Sequence, residues 1–126
     1  MIQIIRIEHP SDGYGIFRSK CTEDDKGNKE LSTLFFILSD RHGDGKFKTP
    51  HKDNLDLWKD NKQWFCAYKT IEQLIEWITL EEIKLIIKHG FSVLLLEVTE
   101  YQEGTDQVIF TKEGIQDSRN LNDLFI

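Results

Sequence analysis

The sequence predicts an α+β fold: a small mixed or antiparallel split β-core with flanking helices. Three observations predict it. The chain opens on a β-branched run, IQIIRIE at 2–8. Two capped helical stretches follow one another from Thr70 to Gly90. A long apolar run, SVLLLEVTEY at 92–101, then meets a turn and a second β-rich run, QVIFT at 107–111. The 126 residues suit one domain, 1–126, with a single core.

The first strand alternates. Ile2, Ile4 and Arg6 share one face, with Ile5 and Ile7 on the other. An arginine on an apolar face either reaches solvent from the strand edge or end, or needs acceptors if it is buried, because an unpaired buried charge is costly. HPSDGYG at 9–15 is a turn cluster, and 14–20 reads as a short returning strand. The polar run TEDDKGNKE at 22–30 reads as a surface loop, and LSTLFFIL at 31–38 leans to helix. The segment 39–53 is the longest irregular stretch. Its Arg41, Lys46, Lys48 and Lys52 are basic within an acidic chain and suit either solvent or an acidic partner. Residues 54–61 suggest a helical turn carrying Leu55, Leu57 and Trp58.

Residues 64–68 read as an aromatic strand in which Cys66 is a small buried hydrophobe. Thr70 and Gln73 form a capping-box pattern, followed by an apolar face of Ile71, Leu74, Ile75 and Ile78. Thr79 and Glu82 repeat the device ahead of Leu80, Ile83, Ile86 and Ile87, and Gly90 is a natural stop. The run at 92–101 is apolar on both faces through Leu96, as in a central strand covered on two sides. Glu103-Gly104 supplies a turn, after which 107–111 pairs antiparallel with that strand. From Ser118 the tail reads as a short final helix, with Leu121, Leu124 and Phe125 sealing the core.

Composition narrows the function classes. A net charge of −6 disfavours a general nucleic-acid binder. No apolar run reaches the roughly 20 residues of a membrane span. Met1 leads straight into the first strand without a basic leader, which predicts a cytoplasmic protein. Two cysteines, Cys21 and Cys66, make neither a disulfide framework nor a zinc site. Asp40, His42, Asp44 and His51 match no metal-ligand spacing. No phosphate loop and no nucleophile elbow is present.

The order of elements, a strand with an inward Arg6, then Tyr68-Lys69-Thr70 at a strand end, then TDQVIF at 105–110, resembles the ADP-ribosyltransferase fold. The likeness is to the branch defined by Arg, Ser and Glu. It implies a cleft that binds NAD or another ADP-ribose-type ligand. Arg6 would contact the dinucleotide, with Tyr14, Tyr68 and Thr70 as further ligand-binding positions. Gln107 would stand where that family places its catalytic glutamate. A neutral amide offers no negative charge to an oxocarbenium-like transition state, so transferase activity would be weak or lost unless Glu103 or Asp106 substitutes. Each residue also has a local reading: Thr70 is first a helix N-cap, Gln107 a strand-start residue, and the tyrosines core or rim aromatics. A second class of function competes. Small acidic proteins without catalytic residues resemble, in size and charge, phage or mobile-element factors such as anti-CRISPR proteins that inhibit by binding a host protein.

Overall fold

The structure, a computed structural model, describes residues 1–15, 33–34, 36–38, 54–105 and 107–126. The predicted elements at 16–30 and 39–53 lie outside these residues, as do Cys21, His42 and His51. The described residues show the α+β class, with two antiparallel three-stranded sheets and short helices.

The first strand, β1, runs Ile2–Glu8. The aromatic strand β2 is Phe65–Ala67. Helices α1 (Ile71–Trp77) and α2 (Leu80–Lys88) follow. Then come β3 (Ser92–Val98), β4 (Tyr101–Glu103), β5 (Val108–Phe110) and β6 (Ile115–Asn120). One sheet has the order β1-β3-β6 and the other β2-β5-β4. The described residues between 33 and 38 are helical, as their apolar run suggests.

The central place of β3 explains its apolar sequence. On one face, Val93 joins Ile5 and Ile7 beneath Leu74, Trp77, Ile83 and Ile86 of the helices, together with Leu34 and Leu38. On the other face, Leu96 and Val98 join Ile4 against Ala67, Val108 and Phe110 of the second sheet. The alternation of β1 therefore assigns Ile5 and Ile7 to the helical layer and Ile4 and Arg6 to the seam between sheets. At roughly 25 cal/mol per Å² of apolar surface, such two-sided burial is the main stabilising term.

The helices end where their caps dictate. Thr79 Oγ1 accepts from Glu82 N at 3.2 Å while Glu82 Oε1 accepts from Thr79 N at 2.9 Å, a complete capping box. At α1 the reciprocal half differs from expectation. Thr70 Oγ1 accepts from Gln73 N at 3.0 Å, but Gln73 Oε1 reaches one residue further back and accepts from Lys69 N at 2.7 Å. Gly90, at φ +94°, takes the left-handed position beyond α2.

The sheets join at two corners. Ile5 and Tyr68 exchange both backbone hydrogen bonds at 2.8 Å, so the end of β2 pairs with β1. At the other corner the predicted strand 92–101 breaks. Thr99 and Glu100 bend, and the chain leaves the first sheet at Val98 to enter the second at Tyr101. Glu100 fastens this crossing: its carboxylate pairs with Lys62 and accepts from the Thr111 hydroxyl. A Cβ on Gly114 would stand 2.8 Å from Glu100 N, so only glycine admits the close approach here.

Three further expectations are corrected. The tail is not helical from Ser118: residues 115–120 form β6, because their backbone completes the ladder along Leu94–Val98. Leu121 and Phe125 are buried as expected, but Leu124 lies on the single 3₁₀ turn that follows and points to solvent. Cys66 is exposed, not buried, because the inward positions of β2 are Phe65 and Ala67.

Replacing Thr79 by Ala removes one side-chain cap and is expected to cost about 1 kcal/mol in urea unfolding. The hydrogen-bonded contact with Lys62, then that with Thr111, holds the Glu100 carboxyl below its ordinary pKa. A depressed carboxylate stabilises the fold above its unfolded pKa and loses that contribution as pH falls through the folded one. Glu100→Gln should therefore lower Tm at pH 7, and the difference from the parent should close as pH drops below about 4.

Candidate functional site

Arg6 sits in the seam, 6 % exposed, and the protein itself satisfies most of its guanidinium. Nη1 donates to Cys66 O at 2.7 Å and Nη2 to Gly13 O at 3.2 Å. Nε lies 3.5 Å from Glu8 Oε1, an ion pair without hydrogen-bond geometry. The guanidinium carbon stands 5.2 Å and 5.9 Å from the ring centroids of Phe65 and Phe110. Burial lowers the Arg6 pKa, and the Glu8 carboxylate opposes the shift.

Lys112 closes the other side of this network. Its Nζ donates to Glu8 Oε2 at 3.2 Å and to Gly13 O at 3.0 Å, and lies 4.8 Å from the Phe65 centroid. Glu8 thus stands between two cations, and the Gly13 carbonyl accepts from both. The turn 9–13 that delivers this carbonyl is itself closed by Gly13 N donating to His9 O at 2.8 Å.

Beside Arg6 lies a cleft of about 100 Å³. Tyr68, Cys66, Trp77 and Gln107 line it together with Arg6, and Gly15 lies at its side. Tyr68 sets its ring edge-on to Trp77, with centroids 5.5 Å apart. Burial pushes the Tyr68 phenol pKa up, so this hydroxyl stays neutral at any physiological pH. Gln107 is 5 % exposed, and its carbonyl accepts from Gly104 N at 2.8 Å, closing the turn between β4 and β5.

Arg6, Tyr68 and Gln107 therefore meet at one cleft. Thr70 and Tyr14 do not join them. Thr70 is exposed and spends its hydroxyl on the α1 cap. Tyr14 lies over Phe65 at 6.3 Å, and its hydroxyl accepts from Gln63 Nε2 at 3.5 Å. Of the two carboxylates considered as substitutes at the reaction centre, Glu103 is exposed and Asp106 lies outside the described residues. Sequence reasoning takes Trp77 as a core or rim aromatic before a stacking platform, and it misses the Cys66 and Gly13 carbonyls. Trp77 at the last turn of α1 was visible as a helix aromatic, but backbone acceptors leave no mark in residue identity.

Chemically, the cleft offers an amide, a neutral phenol and aromatic edges. A cation that already holds two carbonyls and a carboxylate has little left for a ligand. Among the described residues, no group of three or more His, Cys, Asp or Glu side chains is placed to hold a metal ion. No described helix is long and apolar enough to cross a membrane.

Comparison with known families assigns the chain. It belongs to the family described as Bacteriophage T4 Y00F protein, which matches residues 1–122. No curated protein and no solved structure matches it.

Replacing Arg6 by Ala strips donors from two carbonyls and a partner from Glu8. The expected loss is about 3 kcal/mol in equilibrium unfolding. Arg6→Lys should recover only part of it, because an ammonium does not span the forked geometry.

Proposed function

We infer that this phage-family protein acts by binding a host protein, with Trp58 as the anchor of the contact. One observation carries this reading. Trp58 is 86 % exposed on a segment that is firmly held. Asp56 N donates to Gln102 Oε1 and Gln102 Nε2 donates back to Asp56 O, both at 2.9 Å. Asp56 Oδ1 accepts from Trp58 N at 2.9 Å, and Trp64 Nε1 donates to Lys59 O at 3.0 Å. Asn54, Asp60 and Asn61 take positive φ, which these short polar side chains tolerate.

A large apolar ring held in water on a pre-ordered loop has little ordering entropy left to lose on binding. Tryptophan is enriched among the residues that dominate interface energies. The net charge of −6 favours approach to a basic partner.

The ADP-ribosyltransferase-like reading, with NAD as ligand, draws on the convergence of Arg6, Tyr68 and Gln107. Against it stand the size of the cleft, about 100 Å³, and the commitment of Arg6 to internal acceptors. Small-molecule sites run to roughly 300–1,000 Å³.

The test is affinity purification from host cells with the parent and Trp58→Ala proteins, followed by titration of the recovered partner. The variant should keep its Tm and bind roughly 30-fold more weakly, the ~2 kcal/mol of an anchor residue. Equal binding by the variant would overturn the reading. A saturable thermal shift with millimolar NAD that Gln107→Ala abolishes would replace it with the small-ligand one.

A further inference from the structure

The geometry points to a second interaction surface: the outer edge of β6 pairs antiparallel with β6 of another copy, centred on Ser118. Strand β6 is an edge strand, and no described strand lies beyond it. Gln116 to Asn120 are all exposed. Edge strands are templates for strand addition unless shielded by bulges, prolines or repelling charges; the register shift of β6 falls before Asp117, and Asp117 to Asn120 pair regularly with β3.

The ladder fixes which backbone groups are available. Leu121 N donates to Val93 O at 2.8 Å, so that pair is a hydrogen-bonded one. Alternation then turns the backbone groups of Arg119 and Asp117 towards β3, in register with Leu95 and Glu97. Ser118 and Asn120 direct their N–H and C=O groups outwards, while Gln116 is the extra residue where the register shifts between Glu97 and Val98 and stands outside this alternation. Two copies related by a two-fold axis at Ser118 would exchange backbone hydrogen bonds between Ser118 and Ser118, with Asn120 of each copy alongside the start of the other's strand.

The side chains select this register. With Ser118 opposite Ser118, Asp117 of each copy faces Arg119 of the other in the closer, non-hydrogen-bonded positions. Sliding by two residues in either direction keeps the backbone parity but sets Asp117 opposite Asp117, or Arg119 opposite Arg119. Like charges directly opposite are destabilising, so the strand accepts one register and opposes its neighbours. Neither Asp117 nor Arg119 makes an ion pair or side-chain hydrogen bond with any described residue. Both remain available for a partner. Exposed Leu124 and Ile126 follow the strand closely and add apolar surface near its end.

Sedimentation equilibrium of the full chain over a concentration series tests the assignment. The parent should dimerise reversibly. Asp117→Arg and Arg119→Asp should each weaken the dimer at least tenfold, since each sets two like-charge pairs face to face. Mixed in equal amounts, the two variants should associate again, because every arginine at these two positions in one copy would then face an aspartate in the other. The double exchange D117R/R119D should self-associate like the parent. A parent that stays monomeric at the highest concentration, single variants that dimerise unchanged, or a mixture that fails to associate would overturn the proposal. Hydrogen exchange on the parent gives an independent reading: the Ser118 amide should gain protection as concentration rises, and unchanged exchange would count against the pairing.

Discussion

The architecture depends on one buried cation. Arg6 rises from β1 into the seam between the sheets and donates to a carbonyl of β2 and to one of the 9–13 turn. Glu8, two residues on, neutralises it and engages Lys112 from just beyond the end of β5. The two sheets and both flanking turns thus share one network of charge-assisted hydrogen bonds. A buried ion pair of this kind is weak evidence of net stability, because desolvation offsets much of the attraction. What it contributes is registry: the seam closes only when the carbonyls of Cys66 and Gly13 reach the fork.

That commitment limits the cleft beside it. A side chain that looks like a ligand-binding arginine is engaged with its own backbone. Its neighbours in the cleft include the neutral Tyr68 phenol, Trp77 and Cys66. Binding capacity therefore shifts outwards, to features that the packing leaves unsatisfied. Trp58 stands in water on a loop braced by Gln102, and the β6 edge carries polar groups that alternate in charge. Exposed apolar anchors and open strand edges are surfaces of the kind that recognition uses.

How far the sequence could be read depends on the range of the interactions involved. The helices were legible because Thr70, Thr79 and Gly90 act on neighbours three or four residues away. That Arg6 shares a face with Ile2 and Ile4 was legible because a strand alternates strictly; that it is buried instead of reaching solvent was not. The break of 92–101 at Thr99 was not, since LLLEVTEY continues as a strand pattern without interruption. The break follows from contacts with Thr111 and Gly114, more than ten residues later. Strand β6 was hidden for a related reason. IQDSRN has no apolar alternation, and it is a strand only because Leu94 to Val98 offers it a ladder.

The sequence by itself determined the α+β class, the capped helices, the apolar central strand and the acidic net charge. Each of these follows from periodicity, local capping or composition. Tertiary structure alone decided that Arg6 and Gln107 meet at one cleft while Thr70 serves a helix end and Tyr14 lies on Phe65. The reason is physical: which backbone carbonyl faces a guanidinium is set by how two sheets close on each other, and a carbonyl is the same group in every residue.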